Sequence, residues 1–114
     1  MSRDLTYLTD ILQAARLLKT FVEGLTISIF LEDPLRQSAV ARQLEIIGEA
    51  TKRLSETFRA NHPEIPWRKM AGIRDVLIHA YDHVDFELVW ETAVKDIPDL
   101  IAMIEPLVPP EEQS

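Results

Sequence analysis

Apolar residues recur three and four positions apart through the first half of this chain, and that spacing constrains its fold more than any other feature. Leu5, Leu8, Leu12, Ala15, Leu18 and Val22 keep it over residues 2 to 23. Leu35, Ala39, Ile46, Ile47, Ala50, Leu54 and Phe58 keep it from Pro34 to about Phe58. A period near 3.6 gathers such residues on one side of an α-helix. Each helix then carries a stripe that only another packed element can cover. Helix punctuation agrees. Ser2 reads as an N-cap and Gly24 as the left-handed stop after the first helix. Asp33-Pro34 joins an N-cap to a proline at the first helical position. Residues 25 to 32 alternate like a strand, but no second segment could pair with them, and a lone strand leaves its backbone unsatisfied. They are predicted to form a loop or a short helical turn capped by Thr26.

The pattern continues in the second half. Asn61-His62-Pro63 with Pro66 marks a loop. A third helix is expected from Pro66-Trp67, carrying Met70, Ile73, Leu77 and Ile78. Asp82-His83-Val84-Asp85 reads as a turn with Asp85 as the next N-cap. A fourth helix follows from Phe86 to Lys95, Pro98 kinks or restarts it, and Leu100, Ile101, Ile104 and Leu107 carry it to about Val108. Gly48 and Gly72 both fall inside predicted helices, where each costs about 1 kcal/mol. Close approach of helices two and three at these glycines would account for them. The expectation is therefore one all-α domain over residues 1–108, an antiparallel bundle of four or five helices, with residues 109–114 as a frayed tail. No repeats and no low-complexity segment interrupt it.

Composition narrows the chemistry. The absence of cysteine removes disulfides, thiolate nucleophiles and cysteine-based zinc sites together. No basic-then-apolar leader opens the chain and no apolar run approaches membrane-spanning length, so a cytoplasmic protein with no membrane contact is expected. The formal net charge of −7 argues against a general nucleic-acid binder. Its distribution is uneven. Residues 52–74 hold Lys52, Arg53, Arg59, Arg68, Lys69 and Arg74 for a net +4, while residues 75–114 sum to −9. This basic cluster is either a solvated face or an anion-binding one, and it runs directly into the stretch with the most chemistry.

That stretch is Arg74-Asp75-Val76-Leu77-Ile78-His79-Ala80-Tyr81. On an α-helix, with about 100° per residue, Arg74 and Tyr81 fall within about 20° of each other, two turns apart. Asp75 and His79 share a face, with Asp82 and His83 one turn further on. A carboxylate one turn before a histidine can fix the ring and raise its basicity. An arginine supplies planar, permanently charged donors suited to phosphate. The bland account is a half-exposed helical histidine, a helix-supporting Asp-His pair and ordinary Arg-Tyr packing, and the short spacing alone does not decide between them.

The wider pattern does. Arg74-x-x-x-x-His79-x-Tyr81 resembles the motif of HEPN domains, in particular the HepT-like toxins. The flanking segments agree: Leu44-Glu45-Ile46-Ile47-Gly48-Glu49-Ala50, Ile65-Pro66-Trp67 and Leu88-Val89-Trp90-Glu91. The likeness covers most of the chain. It implies a HEPN-type helical bundle acting as a homodimer, metal-independent RNA cleavage without a cofactor, and a minimal nucleotidyltransferase antitoxin that silences the toxin by transferring AMP to Tyr81. The catalytic residues would be Arg74 and His79. Tyr81 would position the substrate, and Asp75 is read from its spacing as a support for His79. Arg68 and Lys69 are candidates for RNA backbone contact. Trp67 and Trp90 sit in apolar helical patterns and read as core.

Three alternatives stay open. His83 in place of a partner's His79 could be the second proton carrier. Asp75, His79 and His83 could hold zinc or nickel, although a turn near Asp82 would move His83 off their face. The bundle could also be a non-catalytic module that binds a nucleotidyltransferase or its substrate, as the acidic overall charge favours.

Overall fold

The computed structural model describes residues 3–77 and 84–113, apart from the side chain of Val76. Among these residues every regular element is helical. The first helix, α1, runs Arg3–Val22 and ends where Gly24 takes φ +78, the left-handed stop expected from the sequence. A single turn, α2, spans Ile27–Phe30, with the Thr26 hydroxyl accepting from the Ile29 N–H at 3.3 Å. Phe30 explains why this turn is helical and not a free loop. It is wholly buried, at 5.3 Å from the Trp90 ring and 6.4 Å from Phe86, and so pins the connection to the far end of the chain.

The third helix, α3, runs Pro34–Arg53, opened by Asp33, whose carboxylate accepts from the Arg36 N–H at 3.1 Å. Its direction follows from one hydrogen-bonded junction. Asp4, in the first turn of α1, accepts from Ser55 N at 2.8 Å and from Ser55 Oγ at 2.7 Å, just beyond the end of α3. The two long helices are thus antiparallel, and Leu8, Ile11, Leu12, Ala15 and Leu18 from one meet Val40, Leu44 and Ile47 from the other in the core.

The same junction corrects the expected second helix. It does not continue to Phe58. Leu54 turns extended at ψ 142, and a separate helix α4, Glu56–Asn61, starts with the Ser55 hydroxyl accepting from the Phe58 N–H. Serine competes with the backbone for such bonds and favours caps over helix interiors. Periodicity carries no trace of the break, because Leu54 stays buried and Phe58 half-buried on both sides of it.

The third predicted helix is also shorter than expected. α5 covers Trp67–Ala71 and stops at Gly72, after which Ile73–Leu77 form a tight 3-10 turn. Trp67 is core, as expected: its ring lies against Phe58 and its N–H donates to the carbonyls of Arg59 and His62. The next helix begins after Asp85, whose carboxylate caps Leu88, and the expected restart at Pro98 takes the form of a widened turn just ahead of it. α6, Phe86–Glu91, passes through a widened turn at Thr92–Asp96 into α7, Ile97–Ile104. The Ile97 N–H donates to Thr92 O, five residues back. A proline has no N–H for the usual bond and its ring crowds the carbonyl four residues earlier, so a wider turn ahead of Pro98 relieves both.

The expected frayed tail is instead tied down through Gln113. Pro110–Glu112 form another 3-10 turn. The Gln113 amide accepts from Arg16 at 2.9 Å and donates to Val108 O at 2.7 Å, while Arg16 also bonds Glu105 at 2.5 Å. Among the described residues no helix is long and apolar enough to cross a membrane.

Candidate functional site

The site forms where the tight turn at Ile73–Leu77 lies against the middle of α3. Gly48 makes that approach possible. A Cβ built there would stand 3.2 Å from Arg74 Cβ and 3.3 Å from both Arg74 Cγ and Arg74 N, closer than packed side chains ordinarily allow. The expected crossing of Gly48 with Gly72 is therefore corrected: Gly48 meets Arg74. Gly72 caps α5 at φ −84, and its would-be Cβ finds nothing nearer than 3.5 Å.

With its stem seated on Gly48, Arg74 sends its guanidinium to the next residue of α3, where Nη1 forms a short ion pair with Glu49 Oε1. The side chains are 37% and 47% exposed, so the pair is screened by water and contributes no more than about 1 kcal/mol to stability. Its consequence is positional. Arg74 also borders a cleft of about 300 Å³ with Ala41, Glu45, Leu77 and Val84. Glu45 is shared with a second depression of about 250 Å³ that also involves Tyr7, Arg42, Glu49 and Arg53. One face of α3 thus presents two carboxylates, Glu45 and Glu49, flanked by Arg42 and Arg53, beside an arginine whose donors suit phosphate.

The other sequence candidates divide. Asp75 is exposed on the same 3-10 turn, its N–H bonded to Gly72 O. Residues there advance by about 120° and not 100°, so the α-helical phase assumed for Arg74 and Asp75 does not hold through Leu77. His79, Tyr81, Asp82 and His83 lie outside the described residues, and with them the facial match of Arg74 to Tyr81, the support of His79 by Asp75 and the Asp75–His79–His83 metal trio. Lys69 is not brought to the Arg74 cleft. It pairs with Asp96 at 3.3 Å and lines a different, largely apolar groove of about 470 Å³ with Met70, Ile73 and Leu100. Arg68 is exposed beside it. Trp90 is half-buried against Phe30, as a core residue would be.

The residue that sequence reasoning left without a role is Glu49. The available signal was Gly48. A glycine inside a helix marks a close neighbour, and the side chain next to it is well placed to reach over that neighbour.

Comparison with known proteins identifies the family. The profile of the family described as "Ribonuclease HepT-like" matches residues 11–107, which include Glu49, Arg74, His79 and Tyr81. A protein of Thermococcus cleftensis named "Probable ribonuclease HepT" is 48% identical over 89% of this chain and 92% of its own. A candidate RNase of Caldanaerobacter subterraneus subsp. tengcongensis is 42% identical over 93% of this chain and 95% of its own. A candidate RNase of Methanocaldococcus jannaschii is 39% identical over 90% and 84%. No solved structure matches the chain. These similarities, over most of an all-α chain, show that the chain belongs to the HepT-like ribonuclease family.

Proposed function

We propose that this protein is the toxin of a toxin–antitoxin pair, an endoribonuclease that works without a metal through Arg74 and His79. The observation that carries the reading is Arg74 itself, part-exposed on a cleft wall with its Cβ, Cγ and N packed closely on Gly48. RNA brings its own nucleophile, the 2′-hydroxyl. A base removes that proton as the 2′-oxygen bonds to phosphorus, and an acid protonates the 5′-oxygen as its bond to phosphorus breaks. The products are a 2′,3′-cyclic phosphate and a free 5′-hydroxyl. His79 has the unperturbed pKa range for proton transfer near neutrality. Arg74 stabilises the extra negative charge on the phosphorane by directed N–H bonds. Tyr81 holds the substrate by stacking or hydrogen bonding.

The reaction needs two proton carriers, and each chain offers one motif histidine. A twofold homodimer that joins the two motif segments supplies the second. A nucleotidyltransferase antitoxin is the further partner. AMP on Tyr81 would add bulk and a phosphate beside Arg74, occupying the place of the substrate phosphate.

The test is expression of the parent and of His79→Ala without any partner, followed by RNA cleavage by both purified proteins in EDTA. The parent arrests growth and degrades RNA in EDTA, and His79→Ala does neither. A fully active His79→Ala variant removes the scheme, and an inactive parent supports the non-catalytic module instead. Co-expression with the transferase then rescues the parent and fails to rescue Tyr81→Phe.

A further inference from the structure

We infer that Glu49 is a positioning residue for Arg74, one that sets the direction of the guanidinium toward substrate phosphate. The inference rests on the ribonuclease reading above and adds a residue to it. Arg74 has a long stem with several rotatable bonds, and it rises from a 3-10 turn that follows a helix of only five residues. Left alone, such a side chain would sample many directions and lose entropy on meeting substrate. Two neighbours on α3 remove that freedom. Gly48 fixes the stem, with contacts that a Cβ would crowd at 3.2 to 3.3 Å, and Glu49 fixes the far end through Nη1. Both belong to a 20-residue helix whose buried side chains form part of the core, so the guanidinium is referenced to a long, well-packed element.

The contact is also made in the way a positioning role requires. Among the described residues Glu49 engages Nη1 alone. A guanidinium has five N–H donors in a planar fork, so one carboxylate at one end leaves others for phosphate. Charge attraction does not explain the arrangement. Glu49 offsets the charge of Arg74 within the contact itself, so the pair serves direction and not the attraction of a polyanion. Arg74 is thereby made effective by direction at the expense of attraction. A carboxylate that holds the arginine but repels the substrate has a distinctive kinetic consequence: its removal weakens turnover without weakening binding.

The experiment compares the parent, Glu49→Gln and Glu49→Ala by two readouts. The first is side-chain ¹⁵N NMR of Arg74 in the intact protein, which reports guanidinium rotation whether or not RNA is cleaved. The second is kcat and KM on a short RNA. Glu49→Ala frees Arg74 rotation and lowers kcat about 10- to 100-fold, the scale of a misplaced catalytic group, while KM stays level or falls. Glu49→Gln, which keeps an acceptor oxygen, recovers part of kcat. Thermal melting shows that both variants remain folded. Unchanged Arg74 dynamics in Glu49→Ala overturn the inference independently of any activity. A cleaving parent whose Glu49→Ala variant keeps the parent kcat, or loses kcat only together with a raised KM, overturns the inference and leaves the ribonuclease reading standing. A parent that never cleaves RNA overturns both.

Discussion

The two halves of this bundle are built to different standards of regularity. α1 and α3 are each 20 residues long and unbroken, with fully buried side chains along their shared face. The stretch from α5 to α7 is a chain of short pieces: five residues of α-helix, a 3-10 turn, six more α-helical residues, a widened turn and then α7. Both halves contribute to one core, yet the arginine of the motif stands on the irregular side, and the residues that hold it stand on the regular side. Irregular backbone can aim a side chain where a regular helix would not, at the cost of local hydrogen-bond geometry. A long, well-packed helix then supplies the fixed reference.

That division can be broken by experiment, most forcefully in the regular half. Ile47 is fully buried on α3, and Ile47→Ala is expected to cost about 2–5 kcal/mol in urea unfolding through lost burial and the cavity left behind. A loss below about 1 kcal/mol, outside that range, would deny α3 its anchoring role. The glycines give a sharper, smaller contrast. Gly48→Ala sets a Cβ 3.2–3.3 Å from Arg74 Cβ, Cγ and N, of which Cβ and N move only with the turn, so overpacking of about 1–3 kcal/mol is expected to exceed a propensity gain of about 1 kcal/mol. Gly72→Ala meets only ordinary contacts at a helix-compatible φ and is expected to stabilise by about 0.4–1 kcal/mol. Chemical denaturation of the two variants should therefore show opposite signs, and equal signs would erase the asymmetry between the helices.

The smallest effect concerns the start of α3. The Asp33 carboxyl titrates below its ordinary value of 3.8, chiefly because the Arg36 backbone N–H bonds its charged form and secondarily through the Arg36 side chain. A depressed folded pKa means that the charged cap stabilises above the unfolded pKa and that this stability is lost as pH falls through the folded one. The parent should therefore lose more stability than Asp33→Asn on acidification below about pH 5. Parallel pH profiles for the two proteins would show that Asp33 does not supply the difference.

Much of this architecture could be read without coordinates, and the reasons are local. An apolar period of 3.6 is a property of neighbours along the chain, so α1, most of α3 and α7 were legible. So were Thr26, Asp33 and Asp85 as caps and Gly24 as a stop, because a cap bonds within three residues of itself. The family was legible from the joint spacing of Arg74, His79 and Tyr81 with their flanks. The breaks were not. The interruption at Ser55 joins a local cap on Phe58, masked by an unbroken apolar period, to bonds from Asp4, distant in sequence, and the 3-10 turn after Gly72 keeps Ile73 and Leu77 buried at a spacing an α-helix would also use. Gly48 announced a close neighbour but could not name it. That Arg74 fills this place, with Glu49 holding its far end, is a contact between residues 25 positions apart, and only the packing of one helix on another decided it. The sequence determined which segments are helical and which residues could carry chemistry. Tertiary structure determined the direction of the arginine, because direction depends on side chains that approach through space and leave no periodic mark along the chain.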